Sequence, residues 1–170
     1  MMLCSLVLAL VLPAAAQNTF QNSWTEIIKS DLQSYKSLTT EDLKARLSKG
    51  QVIVVIFWAD WCDFCKSELK MISQYQKNMP AGQVNIIAIN QDIKFELGIE
   101  KAKLYENELF VVHDRNAALK KKLNVMKLPL TLIYSENGEF QTAYSGFSNE
   151  RFNYIRKRIN SLLKKGDGET

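Results

Sequence analysis

The sequence predicts an α/β protein with a mixed central β-sheet flanked by helices, and three observations support this fold class. Residues 51–58 (QVIVVIFW) and 84–90 are apolar and rich in β-branched side chains, which is typical of strands buried on both faces. The segment from residue 62 to about residue 78 lies between them and has helical periodicity. Asn137-Gly138 lies between two further apolar runs, which indicates an antiparallel hairpin near the C-terminus.

The remaining elements are assigned from periodicity and from residues typical of helix ends. From the N-terminus, they are a helix or arm carrying Trp24, Ile27, Ile28, Leu32 and Tyr35, a helix from Thr39 to Gly50, a helix over 93–106, a strand over 109–113, a helix over 115–123, strands over 131–134 and 140–144, and a last helix capped by Ser148.

Composition and charge exclude several classes of protein. The chain has 170 residues, of which 46% are hydrophobic and 24% charged, so it is neither disordered nor a fibrous protein. A net charge of +4 is small for a dedicated nucleic-acid binder. We therefore expect a single globular domain that is monomeric and has no nucleic-acid partner.

The N-terminal segment is expected to be a signal peptide. Residues 1–11 are almost wholly apolar, Pro13 follows, and Ala14 and Ala16 fit an A-x-A cleavage site. The apolar run is shorter than the roughly 20 residues that span a bilayer. An uncleaved membrane anchor is the alternative, because no Lys or Arg precedes the apolar run.

These observations divide the chain into four parts. We expect a signal peptide over residues 1–16, an N-terminal arm or helix over 17–33, the folded domain over 34–164 and a flexible tail over 165–170. Removal of the signal would leave two of the three cysteines in an exported protein, where disulfides persist.

Those two cysteines, Cys62 and Cys65, form a C-x-x-C motif at the start of the helix that follows the first buried strand. The free N–H groups and the positive dipole end of a helix N-terminus favour a thiolate over a thiol, and the thiolate is the nucleophile. Cys65 lies almost one helical turn further on, within reach of Cys62. We expect Cys62 to attack a disulfide and Cys65 to resolve the resulting mixed disulfide.

The C-x-x-C motif has two other interpretations, a zinc site and a structural disulfide. A zinc site needs four ligands, and His113 is the only other obvious partner, so no metal site is expected. A structural disulfide without redox activity is a second alternative. His113 ends a strand and is interpreted as a surface packing residue, whereas Trp58 is assigned to the core and Trp61 to a contact surface.

The run from Phe57 to Lys66, FWADWCDFCK, resembles the thioredoxin active-site motif. The resemblance extends from about residue 35 to residue 163, and the additional helix and strand over 93–113 resemble the insert of exported ResA- and TlpA-like reductases. It implies a thioredoxin-like fold in which Leu128-Pro129 forms a cis-proline bond facing the disulfide. Leu128, Pro129 and Trp61 would then bind substrate.

Two positions depart from the thioredoxin pattern. The buried acid of the central strand is replaced by Ile56, and Glu68, three residues after Cys65, is expected to take over proton transfer with a raised pKa. A solvated glutamate is the alternative. The second departure is Asp63-Phe64 between the cysteines, where many relatives have a proline at the second place. Asp63 destabilises the neighbouring Cys62 thiolate by around 1 kcal/mol, which nearly cancels the stabilisation by the helix N-terminus, so we expect a reducing or intermediate potential.

The expected function is that of an exported, periplasmic thiol–disulfide oxidoreductase that reduces protein disulfides without a dissociable cofactor. The resemblance implies electrons from a membrane thiol reductase and a role such as reducing apocytochrome c in cytochrome c biogenesis. A thiol oxidase or isomerase, and a redox-silent binding module, are the alternatives.

Overall fold

The computed structural model describes residues 20, 23–34, 50–79, 81–105 and 107–166. Its strands form one six-stranded sheet. They are β1 (Leu32–Ser34), β2 (Val52–Trp58), β3 (Val84–Asn90), β4 (Phe110–Asp114), β5 (Leu130–Tyr134) and β6 (Phe140–Ser145). The strand order is β1-β4-β3-β2-β5-β6. The three central strands β2, β3 and β4 are parallel, and β1, β5 and β6 are antiparallel to their neighbours.

Helices cover both faces of this sheet. They are α1 (Ser23–Lys29), α2 (Asp63–Lys77), α3 (Phe95–Tyr105), α4 (Ala118–Lys122) and α5 (Asn149–Gly166). Buried side chains of α2, α3 and α5 pack on one face, and those of α1 and α4 pack on the other. Every residue of β2 is buried, because alternate side chains enter the two cores.

The hairpin and the cap of the last helix follow the sequence predictions. Gly138 has a φ of +76° and its N–H donates to the carbonyl of Ser135, so it closes the turn between β5 and β6 in a conformation that favours glycine. At the start of α5, the N–H of Arg151 donates to Ser148 Oγ at 3.1 Å. The predicted helix over 93–106 and strand over 109–113 are present as α3 and β4.

Two predicted helices differ from the structure. The helix that carries Trp24 ends at Lys29, and Leu32 lies instead in β1, which pairs with β4. A long-range strand pairing thus overrides local helical periodicity. Residues Arg115–Ala117 form a 3₁₀ turn with Asn116 and Ala117 at positive φ, and only Ala118–Lys122 is α-helical.

The predicted signal peptide, the helix from Thr39 to Gly50 apart from Gly50 itself, and residues 167–170 of the predicted tail lie outside the described residues. Among the described helices, none is long and apolar enough to cross a membrane.

Candidate redox site

Cys62 and Cys65 form a disulfide bond at the N-terminus of α2, with their Cα atoms 5.2 Å apart. Cys62 is the N-cap residue, and its Sγ accepts a hydrogen bond from the N–H of Cys65 at 3.2 Å. The sulfur of Cys62 therefore already faces the donors that would stabilise a thiolate after reduction. Cys65 is completely buried, whereas Cys62 retains 8% of its accessible surface. Of the two cysteines, Cys62 is therefore the more accessible residue.

The pair is carried by a tight turn between β2 and α2. The N–H of Cys62 donates to the carbonyl of Ala59, and the carbonyl of Cys62 accepts from the N–H groups of Cys65 and Lys66. The backbone of the turn is thereby locked to the first turn of the helix. Trp58, at the end of β2, is fully buried beneath this turn, as the sequence predicted.

Asp63 forms an ion pair with Lys66. Lys66 Nζ lies 2.8 Å from Asp63 Oδ1 across one turn of α2, and this contact lowers the pKa of the Asp63 carboxyl. The positive charge of Lys66 partly offsets the field of Asp63 at Cys62. Both side chains lie at the surface, where such fields are screened, so the net effect on the thiolate is small.

Glu68, on α2, is buried in the core with 1% of its surface exposed. Its carboxylate accepts a hydrogen bond from Thr131 Oγ1 of β5. Burial raises the pKa of Glu68 to about 7, although the Thr131 hydroxyl and the Arg151 guanidinium both lower it. The alternative of a solvated glutamate is therefore wrong.

Glu68 lies close to Ile56 of the central strand through Thr131. Thr131 pairs directly with Ile56 across β2 and β5, and Glu68 reaches Thr131 from α2. The carboxylate thus lies against the same stretch of the central strand, although it is attached to the helix. The chain thus carries a buried acid on α2, three residues after Cys65, and not in the central strand.

Exposed apolar side chains flank the cysteines in sequence and precede the cis-proline. Trp61 is 69% exposed and Phe64, between the two cysteines, is 66% exposed. The Leu128-Pro129 bond is cis, and Leu130 pairs with Phe57, so Pro129 lies next to the end of β2 from which the chain turns into Cys62. Met126, three residues before Pro129, is 80% exposed. Phe64 and Met126 were not predicted as site residues, because the exposure of these two side chains depends on the fold.

His113 is not a surface residue, contrary to the sequence interpretation. Only 3% of its surface is exposed, and this burial lowers the pKa of its imidazole. Its Nδ1 atom lies 3.2 Å from Asn90 Oδ1. Within the described part of the chain, no three potential metal-ligating side chains cluster.

The matched family model covers residues 26–159 and is that of the AhpC/TSA family. This chain belongs to the AhpC/TSA family. The match includes the whole sheet, the disulfide and Glu68, so the thioredoxin-like fold predicted from the sequence is confirmed.

The chain is also similar to curated relatives. The thiol-disulfide oxidoreductase ResA of Oceanobacillus iheyensis is 28% identical over 99 residues, covering 58% of this chain and 51% of the relative. The protein of the same name from Bacillus subtilis is 26% identical over 141 residues, covering 81% of this chain and 76% of the relative. The chain therefore spans about half the length of the first of these relatives.

A secreted disulfide oxidoreductase of Mycobacterium tuberculosis has a similar fold. The two structures superpose with a TM-score of 0.62 at 17% sequence identity, covering 81% of this chain and 98% of the other. At this level of identity the likeness shows the fold alone.

Proposed function

We propose that this protein is an exported thiol–disulfide oxidoreductase that reduces disulfides in other proteins. The observation that carries the proposal is the Cys62–Cys65 disulfide at the start of α2, in which Cys62, the more accessible residue, caps the helix. The relatives named thiol-disulfide oxidoreductase ResA support the same chemistry.

The reaction begins with the reduced pair. The Cys62 thiolate attacks one sulfur of a substrate disulfide, which breaks the substrate S–S bond and releases one substrate thiolate. The Cys65 thiol loses its proton and attacks Cys62, which breaks the mixed disulfide and releases the second substrate thiolate. Two electrons pass to the substrate, and the protein is left with the Cys62–Cys65 disulfide.

Glu68 is the candidate acceptor for the proton of Cys65. Both residues are buried and lie one helical turn apart on the same face of α2. A carboxyl with a pKa of about 7 can take up and return a proton near neutral pH, which a carboxyl of ordinary pKa does poorly. The Thr131 hydroxyl orients this carboxylate from β5.

The exposed apolar side chains of Trp61, Phe64 and Met126 favour a protein substrate that has an exposed apolar segment beside its disulfide. Leu128 and Pro129 would bind the backbone of that segment, since an extended chain can pair with the strand end next to the disulfide. We further propose a periplasmic location and reduction of the oxidised protein by a membrane thiol reductase. Apocytochrome c is one candidate substrate.

The proposal is tested by reduction of insulin with dithiothreitol as electron donor. The full-length wild-type protein should accelerate insulin precipitation well above the rate with dithiothreitol alone. A variant in which both Cys62 and Cys65 are replaced by serine supplies the baseline. A wild-type rate equal to that baseline would favour the redox-silent binding module.

A second prediction concerns the redox potential. The helix N-terminus stabilises a nearby negative charge by about 0.3–1 kcal/mol at the surface and by up to ~2 kcal/mol where the charge is partly buried, and the exposed Asp63–Lys66 pair adds little. Because about 1.4 kcal/mol corresponds to roughly 30 mV in a two-electron couple, the disulfide should not be strongly oxidising. Equilibration with glutathione should give a reducing or intermediate potential. A potential as high as about −120 mV would support a thiol oxidase instead.

A further inference from the structure

A row of buried polar and aromatic side chains crosses the carboxyl ends of the three parallel strands, next to the disulfide. Trp58 of β2 pairs with Asn90 of β3, and Asn90 pairs with His113 of β4. All three are buried and lie on the face of the sheet that carries α2 and α3. The mechanism described above uses none of the polar groups in this row.

Asp92, just beyond β3, connects this row to the turn that carries Cys62. Its Oδ2 atom accepts the backbone N–H of Asp60 at 2.9 Å and the side-chain amide of Asn90 at 2.7 Å. In return, the N–H of Asp92 donates to Asn90 Oδ1 at 3.0 Å, and the same oxygen lies 3.2 Å from His113 Nδ1. Asp92 is only 3% exposed, so these contacts offset the cost of burying its carboxylate.

The turn residue that Asp92 holds lies two positions before the nucleophile. Asp60 follows Ala59, whose carbonyl accepts the N–H of Cys62. A second bond from the N–H of Gln91 to the carbonyl of Trp58, at 2.7 Å, extends the pairing of β2 and β3 to the beginning of the turn. The start of α2 is therefore attached to the end of β3 by backbone and side-chain bonds together.

We propose that Asp92, supported by Asn90, is a positioning residue that sets the reactivity of Cys62 by holding the Asp60 turn. This inference rests on the proposed function, since it concerns the same cysteine. Stabilisation of the Cys62 thiolate depends on its Sγ lying over the first N–H groups of α2, as it does over the N–H of Cys65. A turn released from Asp92 would leave that alignment less well defined.

The direction of the change in Cys62 reactivity distinguishes a positioning role of Asp92 from an effect of its charge. The negative charge of Asp92 opposes a nearby thiolate, so its removal would by charge alone make Cys62 more reactive. Loss of the hydrogen bond to Asp60 would make Cys62 less reactive. Asparagine at position 92 can keep an acceptor oxygen in the place of Oδ2, and its amide would replace Oδ1, which has no hydrogen-bond partner among the described residues.

The experiment measures the rate at which iodoacetamide alkylates Cys62 in the reduced full-length protein, as a function of pH, by mass spectrometry of the peptide that contains Cys62. In Asp92→Ala, the midpoint of the pH profile should rise and the alkylation rate at pH 7 should fall about threefold to tenfold. The rate follows the thiolate fraction of Cys62, which falls about tenfold for each pH unit below the midpoint. Asp92→Asn should stay at or above the wild-type rate.

Asp114→Ala is the matched control. Asp114 is also a buried aspartate that accepts backbone N–H groups, from Leu119 at 2.9 Å and Lys120 at 2.8 Å, but it anchors α4 rather than the cysteine turn. Both alanine variants should lower Tm, and only Asp92→Ala should slow alkylation. If Asp92→Ala does not fold, Asn90→Ala removes the support of Asp92 and should show a smaller decrease.

Equal alkylation rates in Asp92→Ala and Asp114→Ala would overturn the inference, and so would faster alkylation in Asp92→Ala. Because alkylation needs no turnover, these outcomes do not depend on the insulin assay. A wild-type protein that fails to reduce insulin would instead overturn the proposed function.

Discussion

Replacement of Cys62 by serine should lower the rate of insulin reduction by at least about a thousandfold, because a serine hydroxyl at neutral pH cannot replace a thiolate as the attacking group. Replacement of Cys65 by serine should also stop turnover, but at a later step. Cys62 would still attack the substrate, and the mixed disulfide would accumulate since no second sulfur is present to release it.

The two variants are compared by mixing each reduced protein with insulin and separating the products on a gel without reductant. Cys65→Ser should give a covalent adduct that dithiothreitol removes, and Cys62→Ser should give little adduct. The burial of Cys65 is the structural reason for this asymmetry, since only Cys62 retains accessible surface. Equal adduct yields from both variants, or a larger yield from Cys62→Ser, would contradict the assigned order of attack.

A surface control supports this comparison. Ser67 lies on α2 between the two buried residues Cys65 and Glu68, and its exposed hydroxyl donates to the carbonyl of Asp63. Ser67→Ala should therefore keep near-wild-type turnover. A similar loss in Ser67→Ala would mean that any change in α2 disturbs the assay.

Local sequence patterns were sufficient to predict strands β2 to β6 and the cysteine pair. Uninterrupted apolar runs identified β2 and β3, and Asn137-Gly138 identified the hairpin, because each signal is contained within a few consecutive residues. The C-x-x-C motif is equally local. Its place at the start of α2 follows from the strand that ends directly before it.

The features that could not be predicted depend on residues distant in sequence. Leu32 has the spacing of a helical residue, but its pairing with Asp114 makes it part of an edge strand. The burial of His113 depends on α3 and on its neighbour Asn90 in β3. Asp92 carries no recognisable motif, and only its contact with Asp60 reveals a connection to Cys62. Local periodicity contains no information about such contacts.

The position of Glu68 relative to Cys65 was predictable, whereas its burial depended on the fold. The sequence spacing places both on one face of α2, but the hydroxyl of Thr131 comes from β5. That contact brings a carboxyl into the core, and its pKa of about 7 follows mainly from desolvation. The charge state of Glu68 should therefore change near neutral pH.

This pKa leads to a prediction about stability. A carboxyl with an ordinary pKa of 4.5 when unfolded and about 7 when folded binds its proton more tightly in the native state. The stabilisation is complete below pH 4.5 and is lost as the pH rises towards 7, because the unfolded state ionises first. At about 1.4 kcal/mol per pH unit, this group should lower the free energy of unfolding by about 3 kcal/mol across that window.

Glu68→Gln should remove this dependence, since glutamine does not titrate. The free energy of unfolding of the variant minus that of the wild type should rise by about 3 kcal/mol between pH 4.5 and pH 7, measured by urea denaturation at several pH values. Glu100→Gln is the matched control, because Glu100 is exposed on α3 and pairs only with Lys103 in the described structure. A difference between Glu68→Gln and wild type that is constant with pH would contradict the raised pKa.

Glu68→Gln should also slow resolution of the mixed disulfide by Cys65. Without a carboxylate to accept its proton, Cys65 should attack about a hundredfold more slowly, while the first attack by Cys62 stays near the wild-type rate. Rapid mixing with a substrate disulfide, followed by acid quenching, would show the mixed disulfide accumulating in Glu68→Gln as it does in Cys65→Ser. Thr131→Val removes the hydroxyl that lowers the pKa of Glu68, so its pH profile for resolution should shift upwards with the maximum rate retained. If Glu68→Gln instead slowed the first attack by Cys62, Glu68 would be assigned to the environment of Cys62 and not to proton transfer from Cys65.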